Sequence, residues 1–370
     1  MSGVRPFVRA DIPPVADLHR RVFSSRSPAR REARDAHEAY FSELYFGNAW
    51  CAEASPSLVW EDGRGAVAGF LGVTTRAMSL GGQALRAAVT SQFMVDAEAR
   101  RRAPLAAVEL VKALLAGPQD LTLADEATEP ARRLWEGLGG ATALLLSLQW
   151  ARVLRPARFA VSRLAARNRL GRLARGAAPL CRPADGLAAR MPSSPFALTA
   201  TSLRAEDLDA ATLRDCIAEA AADTALRPEY DERSLKWLLE VLAGKRGCGG
   251  FHRTGLRDDA GRLVGWYLAH LAPGGTGEVL QVGARGGALA PVLDHLFARA
   301  WQLGVDVLYG RVEPARLRQL SERGCVFHHR GHWMLVHSGV PGVLEAIHRG
   351  DAFLTRLEGE WCLRFQGEHS

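Results

Sequence analysis

Arg9-Ala10-Asp11 opens a helical pattern that puts Val15, Leu18 and Val22 on one face, and Arg204-Ala205-Glu206 opens another with Ala210, Leu213 and Ile217. These two starts lie 195 residues apart. Glu129-Pro130-Ala131-Arg132 returns as Glu313-Pro314-Ala315-Arg316 at an offset of 184, and Leu134-Trp135-Glu136 is followed by Leu320-Ser321-Glu322 at 186. Four-letter identity is cheap in a chain rich in Ala and Arg, but collinear matches at nearly constant offset mark an internal repeat. Since roughly 100–200 residues make an ordinary domain, the 370-residue chain reads as two copies of one unit.

The two halves predict the same order of elements. In the first, an extended 7–9 leads to helices over 12–23 and about 31–45, then strands over 58–61, 66–80 and 85–95, with Gly81-Gly82 as the hairpin turn. A helix over 104–115, a strand over 121–124, a helix from Glu129 and an extended apolar run over 141–154 follow. The second half predicts an extended 197–203, helices over 207–222 and 231–242, and strands over 250–254, 262–271 and 278–282. A helix over 289–303, a strand over 305–311, a helix from Pro314 and a closing strand over 331–337 complete it. Both run β-α-α-β-β-β-α-β-α-β, an α/β pattern.

Charge is unevenly spread. Residues 151–190 hold ten arginines and one acid, Asp185, a local +9 inside a chain whose formal total is +7. The remainder is therefore slightly acidic, which argues against an extended nucleic-acid surface. Leu164, Leu170 and Leu173 with Val161 give the basic stretch an apolar stripe, so a surface helix is expected there. It would be a solvated connector, or a docking face for an anionic membrane or an acidic acyl-carrier protein. No apolar run approaches the roughly 20 residues of a membrane span, and residues 1–6 lack the order of a secretory signal. A cytoplasmic protein is expected. Its six cysteines are scattered without a CxxC pair, so neither a zinc site nor a disulfide framework is expected.

This element order, with these local sequences, resembles the GNAT acyltransferase superfamily, present twice. The resemblance implies two tandem α/β domains, each a mixed, mostly antiparallel sheet flanked by helices, over 1–155 and 196–370, joined by the basic linker 156–195. It covers the chain apart from that linker and the tail after Ser338. It also implies an acyl-CoA donor, acetyl-CoA in the simplest case, whose pyrophosphate sits on the turn between the fourth strand and the next helix, in a pattern Arg/Gln-x-x-Gly-x-Gly/Ala. Small residues there let backbone N–H groups approach the phosphates, and the helix N-terminus favours negative charge. In the first half the matching stretch runs from Met94 and Val95 through Arg100, Arg101, Arg102 and Ala103 to Leu105 and Ala106. It departs from the pattern at Ala103 and Leu105, and leucine would obstruct the phosphates unless Ala106 takes its place. In the second half Arg285, Gly286, Gly287 and Ala288 match the small residues better, on a shorter approach. The first half is the expected donor site; a plain strand-to-helix turn is the competing reading of each.

The family's proton donor is a tyrosine in a pattern resembling Asn-x-x-Ala-x-x-Leu-Tyr. Here Thr128 to Trp135 matches, with Trp135 in the tyrosine's place, and tryptophan cannot act as a phenol does. For the base, Asp125 and Glu126 follow the strand at the edge of the family's acceptor cleft, Asp125 preferred; a helix N-terminal charge is the other reading. Glu278 and Glu313 are their counterparts in the second copy, and Tyr309 on its fifth strand faces either the core or the cleft, core preferred. His328, His329, His332 and His337 cluster in sequence, but strand alternation separates neighbours and no metal is expected. His37, Tyr40, Phe41 and Tyr45 line one helix face and are read as core or as the acceptor pocket. The expected activity is transfer of an acyl group, most simply acetyl, from CoA to the amine of a small molecule or sugar. Aminoacyl transfer of the Fem type and a catalytically inactive ligand- or partner-binding protein are the competing readings.

Overall fold

The computed structural model describes residues 2–23, 31–50, 55–167 and 178–365. It contains two compact units whose chain segments interleave. In chain order the strands are β1 Gly3–Pro6, β2 Leu58–Glu61, β3 Val67–Leu80, β4 Gln83–Val95, β5 Leu121–Ala127, β6 Ala141–Thr142 and β7 Gln149–Val153. They continue with β8 Arg204–Asp207, β9 Leu226–Pro228, β10 Gly250–Arg257, β11 Leu263–Leu271, β12 Thr276–Ala284, β13 Val307–Arg311, β14 Val326–His328 and β15 Trp333–His337. The α-helices are α1 Ile12–Phe23, α2 Arg31–Ser42, α3 Ala97–Arg102, α4 Ala106–Leu115, α5 Glu129–Gly137, α6 Pro156–Arg167 and α7 Ala178–Arg190. After these come α8 Ala210–Ala220, α9 Glu232–Gly244, α10 Leu289–Gln302, α11 Leu317–Glu322 and α12 Val343–Arg349.

The first unit comprises Met1–Ser147, Asp223–Val241 and Gly331–Ser370. Its sheet has the order β1-β2-β3-β4-β5-β15-β6, with β9 added against β3. All pairings are antiparallel except β4 with β5. The β3–β4 hairpin turns at Gly81 and Gly82, whose φ of 56° and 90° a side chain would resist. Leu110, Val111 and Leu114 of α4 bury one helical face against Trp60, Leu71 and Val95 of the sheet. Each such side chain, fully buried, contributes about 1.5–3 kcal/mol.

The second unit comprises Leu148–Ala222 and Leu242–Arg330, with sheet order β14-β7-β13-β12-β11-β10-β8. Only β12 and β13 pair in parallel. Val292, Leu293, Leu296 and Phe297 of α10 pack on Tyr267, Val279 and Val282. Two mixed, mostly antiparallel sheets flanked by helices are thus present, as the resemblance implied.

The expected division at 155 and 196 does not match these units. Residues 141–154, read as one extended run, break into β6, a 3-10 turn at Leu145–Ser147, and β7. β6 stays in the first sheet, whereas β7 pairs with β13 and β14 in the second. In return β15 lies between β5 and β6. Hydrophobic pattern identifies a strand but not which sheet completes it, so the exchange left no mark in the sequence. The expected strand 197–203 is also displaced: the strand is β8, whose four residues are exposed and carry no apolar alternation.

Most of the basic segment belongs to the second unit as a pair of packed helices, α6 and α7. Buried Asp185 accepts the N–H of Ala157 at 2.7 Å and so caps α6. Arg169, Arg172 and Arg175, with Leu170 and Leu173, lie outside the described residues.

Candidate functional site

In the first unit β4 and β5 run in register only from Ala87–Leu121 to Val89–Leu123 and then part. The pairing of β3 with β4 is interrupted at the same level, between Phe70 and Gly72, where Gln92 takes a φ of 53°. Opposite, β5 is irregular against β15, and Glu126 takes a φ of 60°. Two non-glycine residues in the left-handed region, one on each diverging strand, are strain of roughly 1–3 kcal/mol apiece and typical of places where a side chain is re-aimed. Between them is a cavity of about 430 Å³, bordered by Ser91, Gln92 and Phe93 of β4, Asp125 and Glu126 of β5, and His19 of α1.

Its far wall is the chain's C-terminal segment. The backbone N–H of Glu360 donates to Asp125 Oδ1, and the N–H of Gln92 donates to Glu360 Oε1 at 3.2 Å. Glu360 thus bridges the parted strands. Arg364 Nη2 lies 3.3 Å from Glu126 Oε2, and His332 Nδ1 is 4.0 Å from the same oxygen. The hydroxyl of Tyr40 donates to the Leu363 carbonyl at 2.8 Å, and Phe365 stacks on His37 with centroids 4.0 Å apart. Upstream, Glu358 accepts from the Tyr230 hydroxyl at 2.9 Å and from the N–H and hydroxyl of Thr355 at 2.6 and 2.7 Å. Burial pushes the Glu358 carboxyl above its ordinary range.

The structure therefore brings Asp125 and Glu126 together at one cavity. It gives both structural partners as well, and neither acts as the helix N-terminal charge, since Glu129 takes that position on α5. Trp135 is buried; its indole N–H donates to the Val336 carbonyl at 3.0 Å and its ring fills the space that Gly140 leaves by lacking a Cβ. His37, Phe41 and Tyr45 are buried in the aromatic core, and Tyr45 bonds to Ser91 at 2.8 Å. The core reading of that stripe holds for Phe41 and Tyr45, while His37 and Tyr40 meet the C-terminal segment.

The expected donor turn is more helical than its sequence suggested. Asp96 caps α3 by accepting the N–H groups of Glu98 and Ala99, and Ala103 to Leu105 then leads into α4. Met94 and Val95 are buried at the strand end. Arg100 Nη2 turns back to the Val95 carbonyl at 2.9 Å, Arg102 pairs with Glu98, and Arg101 is exposed. Leu105 is 62% exposed, so it does not fill the space in front of Ala106 and the rest of the first turn of α4.

In the second unit β12 and β13 also part, beyond Val279 and Gly310. Only about 20 Å³ remains there, room for about one water. Trp150 of β7 covers Gly310, where an added Cβ would meet its ring at 2.5 Å, and Trp266 donates to Gln281 at 3.0 Å. Arg285 pairs with Glu219 at 2.7 Å, while Gly286 and Gly287 take φ of 54° and 77° and Ala288 caps α10. That is the geometry of a tight strand-to-helix turn. Glu278 lies 3.9 Å from Arg330, and Glu313 lies 3.0 Å from Arg316. Tyr309 is buried, and burial pushes its phenol up. His328 packs edge-on to Tyr309, whereas His332 belongs to the first unit. Among the described residues no group of three or more His, Cys, Asp or Glu side chains is placed to hold a metal.

No protein-family model and no curated protein matches the sequence. Solved structures do match. A conserved protein of Enterococcus faecalis V583, described as a probable N-acyltransferase, superposes with a TM-score of 0.58 at 11% identity over 91% of this chain and 73% of that one. A GCN5-related N-acetyltransferase of Anabaena variabilis gives 0.58 at 12% over 90% and 72%. The chain has a tandem GNAT fold. The N-myristoyltransferase of Saccharomyces cerevisiae, solved with bound myristoyl-CoA, matches with a TM-score of 0.51 at 9% identity, over 90% of this chain and 82% of that one. At such identities the likeness is one of GNAT architecture.

Sequence reasoning missed Gln92, Glu360, Arg364 and Phe365, and treated everything after Ser338 as a tail. A signal was present: from Arg356 to Arg364 every second residue but Cys362 is charged, and Leu357, Cys362 and Leu363 sit between or beside them. Apolar side chains interleaved with charges at that density suit a segment threaded through a polar cleft.

Proposed function

We propose that the first unit is an acyl-CoA-dependent N-acyltransferase. The reading is carried by the 430 Å³ cavity at the parting of β4 and β5, with the Asp125 and Glu126 carboxylates on one wall. An acyl-CoA pantetheine would enter along the open edge of β4, with its pyrophosphate at the N-terminus of α4 beside Arg101. The acceptor amine loses a proton to Glu126, its nitrogen attacks the thioester carbonyl, the C–S bond breaks, and the thiolate takes up that proton from Glu126 through water, which restores the carboxylate. Asp125, fixed by the Glu360 N–H, positions the C-terminal wall. Trp135 contributes packing, with no proton to give.

Titration calorimetry with CoA, followed by thiol release from acetyl-CoA and longer acyl-CoAs with a panel of amines, tests this. CoA binding with amine-dependent thiol release is the expected result; absence of CoA binding overturns it. One observation favours a non-catalytic binding role: the N–H of Gln92 is already occupied by Glu360. CoA binding without thiol release for any amine would select that reading.

A further inference from the structure

We propose that the α6–α7 pair of the second unit seats the protein on an anionic phospholipid surface. Of the ten arginines in 151–190, Arg163, Arg182 and Arg190 are exposed on α6 and α7 among the described residues, Arg158 pairs with Asp306 at 3.3 Å, and the segment's one acid, Asp185, is fully buried, its Oδ1 accepting the N–H of Ala157. What α6 and α7 present to solvent therefore carries no compensating negative charge. Elsewhere exposed arginines such as Arg102, Arg133, Arg253, Arg262 and Arg318 pair with a nearby carboxylate.

Charge is not alone on this surface. Arg163 and Leu164 are exposed side by side on α6, and Leu187, Arg190 and Met191 fall at i, i+3 and i+4 along one face at the end of α7. Leu164 is 59% and Leu187 62% exposed. Large apolar side chains between arginines suit the headgroup boundary, where guanidinium groups meet lipid phosphates and leucines enter the acyl region. An acidic protein partner would account for the arginines but would leave the leucines facing its own charged surface.

A second feature agrees. Arg190 also borders a groove of about 720 Å³ between α7, residues 198–203 and α10, together with Arg299, Leu198, Leu203 and Trp301. Trp301 is held by Arg155, whose guanidinium lies 3.9 Å from its ring centroid and donates to its carbonyl at 2.6 Å. Among the described residues no acidic side chain lines that groove. Arg190 and Arg299, with Thr199, Thr201 and Gln302 beside the apolar side chains, give that groove the charge and hydrogen-bonding groups that suit a lipid phosphate. The proposal does not depend on acyl transfer in the first unit.

Flotation of the full chain with vesicles of phosphatidylglycerol and phosphatidylcholine, against phosphatidylcholine alone, tests it. Binding is expected only to the anionic vesicles and should weaken with salt, since exposed charges are screened beyond about 8 Å at physiological ionic strength. Arg163→Glu with Arg182→Glu and Arg190→Glu should reduce partitioning by at least about tenfold, with the circular dichroism spectrum and melting temperature unchanged. Leu164→Ser with Leu187→Ser leaves the charge intact and should still reduce it severalfold. Wild-type partitioning of either variant overturns the proposal, as does failure of the wild type to float at low salt. Binding to an acidic carrier protein without vesicle binding would also overturn it, in favour of a protein partner.

Discussion

The same parallel strand pair opens in both units, yet one opening is a cavity of about 430 Å³ and the other about 20 Å³. A cross-strand pair and the length of the register both differ between them. In the second unit Gly310 of β13 faces Trp150 of β7, and the indole fills the gap. In the first, the corresponding pair on the strand next to the opening is Ala124 with Leu335, which is too small to do so. β12 and β13 also stay in register for four pairs, where β4 and β5 manage three. A fold can thus be repeated while its ligand space is not: the backbone supplies the opening, and side-chain volume decides whether it is a site or a core.

Trp150→Ala breaks the comparison most sharply. Removing a buried indole should cost about 3–5 kcal/mol, read as a fall in denaturant midpoint, while leaving CoA affinity unchanged if the first unit alone holds the donor. Acid should expose the second unit as well. Burial, helped by Lys245, depresses buried His270 on β11 from 6.5 to about 4. Because the unfolded chain then binds a proton that the folded chain does not, stability should fall as pH drops from about 6.5 towards 4, by up to about 3 kcal/mol. His270→Phe should flatten that slope in urea melts taken at several pH values.

On the first unit, Glu126→Gln should lower kcat at least tenfold, about 1.4 kcal/mol in barrier, in a thiol-release assay. Asp125→Asn should act chiefly on KM by loosening the C-terminal wall. Wild-type kcat in Glu126→Gln would remove that carboxylate from proton transfer. The smallest expected contrast is in donor affinity: Arg101→Ala should weaken CoA by about 1 kcal/mol, whereas Arg285→Ala should change it negligibly. The reverse result by calorimetry would move the donor to the second unit.

The duplication, the order of elements and the β3–β4 hairpin were legible because periodicity and Gly81-Gly82 are local signals. Asp125 and Glu126 were legible as candidates, though as residues following a strand that ends at Ala124; they lie within β5, which runs on to Ala127, and border the cavity where it parts from β4. What decides their chemistry was not, because Glu360 and Arg364 lie more than 230 residues away and bond partly through backbone groups that carry no residue signature. The same holds for Gln92, whose relevance comes from a backbone φ rather than from glutamine. Met94 to Ala106 was read as a phosphate turn because its arginines stand in register, and Asp96 instead winds half of it into α3.

Strand exchange also bears on how the chain is made. β5 cannot acquire its neighbour β15 until about 200 further residues have been joined. At synthesis rates of about 5–20 residues per second, the edge of β5 waits roughly 10–40 s on the ribosome with an unfilled hydrogen-bonding ladder. Neither repeat can be completed from its own half of the message. Cutting the chain within the basic segment would therefore yield two fragments, the first lacking β9 and β15 and the second lacking β7, each holding what the other needs, and they should fold only when mixed.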